Sequence, residues 1–381
     1  MNRLVLIGNG FDLAHGLHTS YSQFIDNMWK KIIDKLLINC RYDDQFFTFT
    51  IKGISGDILC ANQLRSNSFD NISIKDYVSF QKWIKDYETS FQIEYKIKNR
   101  FFNHLTNKIG KLENWVDIEE EYYKFLKYPV IENGDQAYKY PGGVTQLNED
   151  FKQIKQALNE YLGSLLRTKI KKDTTIDKII KSDFGDHDFA LNTEFQTDKI
   201  DKEKAPESTV ILNFNYTPLE TCYLPDDSDV IHIHGKVNDS KNPMIFGYGD
   251  EMDSDYSEIE KLNDNEYLEN IKSIRYFHTD NYKRLLGFMN MDYYQVVILG
   301  HSCGNADRTL LSTLFNHPKC ISIKPYYHEI IKKNDSTGEK THEDNYIDII
   351  QNISRHFSNK SVMRDKVVSK IYCSPFSTTI L

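Results

Sequence analysis

Apolar residues along this chain follow two kinds of pattern: short unbroken runs, and long stretches with helical spacing. The short runs are "LVLI" (4–7), "TVILNFN" (209–215), "VIHIHG" (230–235), "MIFGYG" (244–249), "QVVILGHS" (295–302) and "CISIKPYY" (320–327). Several are apolar throughout, as strands are when both faces of a sheet are covered. Between the first run and the rest, residues 25–204 read mostly as helix. Tyr77, Phe80, Ile84, Tyr87, Phe91 and Tyr95 keep a 3–4 spacing, as do Phe151, Ile154, Leu158, Tyr161 and Leu165. In "NWVDIEEEYYKFL", Trp115, Ile118, Tyr122, Phe125 and Leu126 share one face, with Asn114 placed to cap the helix and Asp117 in its first turn. The pattern predicts an α/β fold: a Rossmann-like, mostly parallel sheet with a large helical insertion after the first strand. Residues 1–24 together with 205–330 form the expected core, 25–204 the insertion, and 331–381 a C-terminal extension packed on the core.

Composition narrows the class. The 381 residues leave room for one large domain or two, and 40% apolar with 27% charged residues is ordinary for a globular protein. Lys and Arg number 47 against 55 Asp and Glu, a formal charge of -8, which argues against a general nucleic-acid binder. Cys40, Cys60, Cys222, Cys303, Cys320 and Cys373 include no Cys-x-x-Cys pair, so no zinc ribbon or thioredoxin-type motif is read here. The first apolar run is too short for a signal peptide, and no run is long enough for a bilayer. A cytoplasmic protein with scattered thiols is the expectation.

In an open parallel sheet the ligand crevice lies at the carboxyl ends of the strands, so the residues there carry the chemistry. The first strand ends in Gly8-Asn9-Gly10. An Asn-Gly pair can close a hairpin, but the following "FDLAHGLHTSYSQF" does not alternate like a returning strand. A strand–turn–helix fits better, with backbone N–H groups turned toward an anion. The dinucleotide fingerprint is not met, because Leu13 holds its third glycine position.

"NFNYTPLE" sets Asn213 and Asn215 at a strand end, where their amides either close an Asx-turn or point into the crevice. "IHIHG" sends His232 and His234 to one face by alternation, with Gly235 leaving space beside the second. A catalytic His234 above a structural His232 fits better than a metal pair, since no third ligand has suitable spacing. "LGHSCGNADRTLL" is a further strand, small-residue turn and helix start. Asp307 falls in the first helical turn, which the helix dipole favours whatever the function, and there it suits ribose hydroxyls.

Four motifs in order, "GNGFDLAHGL-TSYSQF", "NFNYT-LE", "HIHG" and "LGHS-GNAD", resemble those of the bacteriophage abortive infection AbiH family, and that family is in turn similar to the sirtuin-like NAD-binding superfamily. The resemblance implies an NAD pocket with Gly8, Asn9, Gly10 and Phe11 at the phosphates and Gly16 at a second glycine position. It implies Asn213 and Asn215 at the second motif, with Asn215 catalytic, and His234 as the catalytic histidine before Gly235. Gly300, His301, Ser302 and Asp307 would complete the site, Ser302 holding a ribose. Asn9 departs from the small residue of the sirtuin turn, Asp12 from a serine-like position, and the cysteine pairs of the sirtuin zinc module are missing.

The function implied is cleavage of NAD at the nicotinamide–ribose bond in antiphage defence. His234 would be the base, Asn215 would orient water and ribose, and Asp12 or Asp307 would balance charge on the sugar. NAD is then substrate or ligand, and no metal is expected. The rivals are a sensor that binds NAD or a related nucleotide signal without turnover, and a metal-dependent nuclease using Asp117 and Glu120. A phage-derived trigger and further copies of the chain are candidate partners; a membrane and nucleic acid are not.

Overall fold

The computed structural model describes residues 1–39, 41–52, 76–87, 91–108, 115–130, 138–167, 170–190, 205–224, 230–333 and 339–380. Asn114, Cys40 and Cys60 lie outside them. The chain forms two compact units, one of Met1–His18, Pro129–Asn133 and Leu162–Leu381, the other of Thr19–Tyr128 and Gly134–Tyr161.

The first unit is built on strands β1 (Asn2–Ile7), β5 (Thr209–Asn213), β6 (Val230–His232), β7 (Tyr294–Leu299), β8 (Cys320–Lys333), β9 (Lys340–Asp344) and β10 (Pro375–Ile380). They run in the order β10-β8-β7-β1-β5-β6, with β9 on the far half of β8. Every pairing along that path is parallel; β9 alone among these strands pairs antiparallel. The continuous apolar runs follow from burial on both sides. Leu4, Leu6, Leu212, Val296 and Ile298 pack on one face against the Asn281–Met291, Arg308–Asn316 and Tyr346–Arg355 helices. Val5, Ile7, Ile211, Val297 and Leu299 pack on the other against Phe11, Leu219 and the Thr174–Lys181 helix.

"MIFGYG" is not a strand. Met244, Ile245 and Phe246 are buried, but the segment bonds to loops: Ile245 N–H donates to the His234 carbonyl and Tyr248 N–H to that of Asn270. An apolar run marks burial, and burial alone does not make a strand.

The second unit pairs helices with an antiparallel sheet, β2 (Arg41–Asp43), β3 (Phe47–Lys52) and β4 (Gln92–Ile97). In β3, Phe47, Phe49 and Ile51 are buried and alternate with Thr48, Thr50 and Lys52, a period of two. The helix expected over 77–95 therefore stops at Tyr87, and Tyr95 stands on β4 opposite Phe49. The other two expected helices form at Trp115–Lys127 and Gly143–Leu165. Among the described residues no helix is long and apolar enough to cross a membrane.

Candidate functional site at the strand ends

β1 passes through Gly8 into a short helix, Asn9–Ala14, while the chain leaving β7 turns through Gly300 and His301 beside it. The two turns touch backbone to backbone. A Cβ on Gly8 would lie 2.7 Å from His301 Cα, one on Gly10 2.9 Å from Gly300 Cα, and one on Gly300 2.2 Å from Phe11 N. Gly300 also has φ +69, which only glycine adopts cheaply. The Gly8, Gly10 and Phe11 amides donate to the Leu299, Gly300 and Gly8 carbonyls at 3.3, 2.8 and 2.8 Å. These glycines are thus accounted for by the junction of two loops, and these amides are not turned toward an anion. Gly16, φ +76, ends the short helix in the left-handed conformation common at helix C-termini.

A buried polar chain runs across the ends of β1, β5 and β6. Asn213 Oδ1 accepts from the Asn215 amide at 2.7 Å, an Asx-turn that carries the chain out of the sheet. Asn213 Nδ2 donates to Glu220 Oε2 at 2.7 Å, and His232 Nε2 lies 2.8 Å from Glu220 Oε1. Asn215 Nδ2 donates to Asp12 Oδ1 at 2.8 Å and to the Gly8 carbonyl at 2.9 Å, and Thr217 Oγ1 donates to Asp12 Oδ2 at 2.5 Å. Burial pushes the Asp12 carboxyl up to about 7; the bonds from Thr217 and Asn215 oppose this, and the neighbouring Glu220 reinforces it.

A second cluster gathers at the end of β7. β6 stops at His232 and the chain turns at once, the Gly235 amide donating to the His232 carbonyl. Alternation ends there, so the two histidines take different partners. His234 Nε2 lies 3.1 Å from Asp307 Oδ1 and 3.3 Å from the Tyr276 hydroxyl. The space beside Gly235 is filled, since a Cβ there would meet the Pro243 carbonyl oxygen at 2.1 Å. Asp307 precedes the Arg308–Asn316 helix but does not cap it. Its Oδ1 accepts from Lys272 Nζ at 2.9 Å, and its Oδ2 lies 3.7 Å from His301 Nε2.

Burial opposes the charge on Asp307, but Lys272, His234 and His301 outweigh it and hold the carboxyl well below its usual range. For His234, burial and then Lys272 lower the pKa against the pull of Asp307, so the ring is neutral at neutral pH. A neutral His234 that donates Nε2–H to Asp307 keeps its basic lone pair on Nδ1. His301 receives the Cys303 amide on Nδ1 at 2.9 Å, which leaves its hydrogen on Nε2, toward Asp307. The Phe214 ring spans the pair, 5.0 Å from His234 and 4.3 Å from His301.

The strand ends thus bring His234, His301 and Asp307 into one cluster and Asn213, Asn215 and Asp12 into another. Ser302 is exposed, and Asn9 is half-buried. Sequence reasoning missed Lys272, which is 1% exposed, and the roles of Thr217, Glu220 and Tyr276. Thr217 and Glu220 stood inside a quoted motif, whereas nothing near Lys272 signals that a lysine is buried there. Glu120 is exposed on the Trp115–Lys127 helix, and the side chain of Asp117 lies outside the described residues. Among the described residues no group of three or more His, Cys, Asp or Glu could hold a metal ion.

Buried polar side chains collected where neighbouring parallel strands end define the class: a mixed α/β protein whose candidate site lies at the carboxyl edge of its sheet. Within that class the chain belongs to the bacteriophage abortive infection AbiH family, whose model matches residues 4–329. No curated protein and no solved structure matches it. Membership points to abortive infection, a defence against phage.

Proposed function

We propose that the chain acts in antiphage defence by cleaving NAD at the nicotinamide–ribose bond, on a sirtuin-like, Rossmann-type core. The observation that carries this reading is the neutral, buried His234 oriented by Asp307 at the strand ends, with the Asn215–Asp12 pair on the adjoining strands. The bond needs no general acid, because the pyridinium leaves as neutral nicotinamide and takes the bonding electron pair onto its ring nitrogen. What remains is an oxocarbenium-like ribose, attack by water, and removal of one proton. His234 Nδ1 is the base for that proton, and Asn215 orients water and ribose. Asp307, held ionised, offsets the positive charge that develops on the sugar, and Asp12, protonated up to about pH 7, holds the Asn215 amide in place. The products are nicotinamide, ADP-ribose and one proton.

The Gly10 and Phe11 amides are already bonded within the protein, so in this reading they do not hold the pyrophosphate. Ser302, exposed at the turn after β7, stays in this reading at the ribose.

One observation favours the sensor alternative. Asp12, Asn215, His234 and Asp307 are all at least nine-tenths buried, so substrate reaches them only if the loops part. A site closed at rest suits a protein that responds to a bound nucleotide. Incubation of the purified chain with NAD, and separately with DNA and RNA, each with and without chelator, separates the three readings. Nicotinamide release that survives chelation supports cleavage. NAD binding without release supports the sensor, and chelator-sensitive nicking supports the nuclease.

A further inference from the structure

The Tyr346–Arg355 helix lies beyond residue 329, where the family match ends, yet it makes polar contacts with the loop that carries His301 and Ser302. Asn352 Nδ2 donates to the Ser302 carbonyl at 2.7 Å, and His356 Nε2 donates to the Cys303 carbonyl at 2.8 Å. His356 is 2% exposed, and its own carbonyl accepts from Ser312 Oγ at 3.0 Å and from Asn316 Nδ2 at 2.9 Å. Its Nδ1 has no partner, so the ring's one bonded nitrogen is the one that reaches Cys303. Burial lowers its pKa to about 4, which keeps it neutral.

The loop needs such restraint. Cys303 holds φ +54 without being glycine, a conformation that persists only where the surroundings impose it. The same residue's amide donates to His301 Nδ1 and thereby fixes the tautomer that aims Nε2–H at Asp307. One backbone residue, Cys303, thus receives His356 on its carbonyl and delivers its amide to His301.

We infer that His356, with Asn352, is a positioning residue for the candidate site: it acts through the Ser302–Cys303 backbone to hold His301 in its Nε2–H form. The C-terminal helix is then part of the working site. The inference rests on reading the strand-end cluster as functional, but its test does not use NAD.

The test is imidazole-15N NMR of the full chain, with the His301 ring assigned through His301→Gln and folding followed by thermal melts. Wild-type His301 should show a single Nε2–H pattern. His356→Ala should give averaged tautomers at His301, and His356→Gln, which keeps a donor, should restore the wild-type pattern. A folded His356→Ala protein with an unchanged His301 pattern overturns the inference. If that variant does not fold, Asn352→Ala carries the test, and an unchanged His301 ring again overturns it. A role in stability alone would lower the melting temperature and leave the tautomer in place, and absence of NAD cleavage would leave this result untouched.

Discussion

Two buried carboxylates differ in their surroundings, and each yields a prediction. Asp12 has neutral hydrogen-bond donors and a nearby carboxylate, so burial dominates and its carboxyl rises to about 7. The folded chain then holds this proton more tightly than the unfolded one. The resulting stabilisation is complete below about pH 4 and is lost as pH rises through 7. Asp12→Asn removes the titration while keeping the shape. In denaturation series from pH 4 to 8, its stability relative to wild type should climb by up to about 4 kcal/mol, from roughly 3 units at 1.36 kcal/mol each. A flat difference would mean that Asp12 stays ionised. Asp307 instead faces the buried Lys272 ammonium. Lys272→Met removes a charge that lowers the His234 pKa and leaves Asp307 to raise it. The imidazole titration of His234, followed by NMR, should therefore move upward. A midpoint that stays or falls would show that Lys272 does not act on the ring.

Elements meet at this site through backbone, and that sets what substitutions do. Gly300 and Gly16 both have positive φ, but a Cβ on Gly16 meets nothing within 4 Å, while one on Gly300 runs into Phe11 N. Gly16→Ala should cost ~1 kcal/mol, the conformational penalty alone. Gly300→Ala should cost roughly 3 kcal/mol or more, because the β1 and β7 loops must separate. Urea denaturation of both variants checks this, and equal losses would remove the junction from the account. The strands β5, β6, β7 and β8 were legible because β-branched apolar runs admit few alternatives. The β3 alternation was present in the sequence but hidden inside a region read as helical. "MIFGYG" misled because its apolar run is buried by loops, and β10, "PFSTTI", drew no notice because it opens on proline and carries exposed polar residues. At the site, Asn215, His234 and Asp307 stood out as polar residues following strands, whereas Asp12 entered only through the family resemblance. Their grouping was not legible, because the turn after His232 and the burial of Lys272 are decided by tertiary packing.

At the scale of the whole molecule, the family match covers the parallel sheet through most of β8, and the C-terminal helices and β10 follow it. A net charge of -8 gives no long-range attraction for a polyanion such as nucleic acid. The central claim is that His234 and Asn215 serve one step of NAD cleavage. A general base typically contributes ~10²–10⁴-fold, so His234→Ala should lower the rate by that order and leave NAD affinity little changed. Asn215→Ala should cost a similar factor, since a misoriented water gains little from the base. If the two act as a unit, the double variant should be scarcely slower than the poorer single one. The decisive measurement is therefore nicotinamide released from NAD by wild type, His234→Ala, Asn215→Ala and the double variant, with NAD binding measured by calorimetry on the same samples. The account predicts steady release by wild type and the non-multiplicative losses just described, whereas wild-type protein that binds NAD and releases no nicotinamide would contradict it.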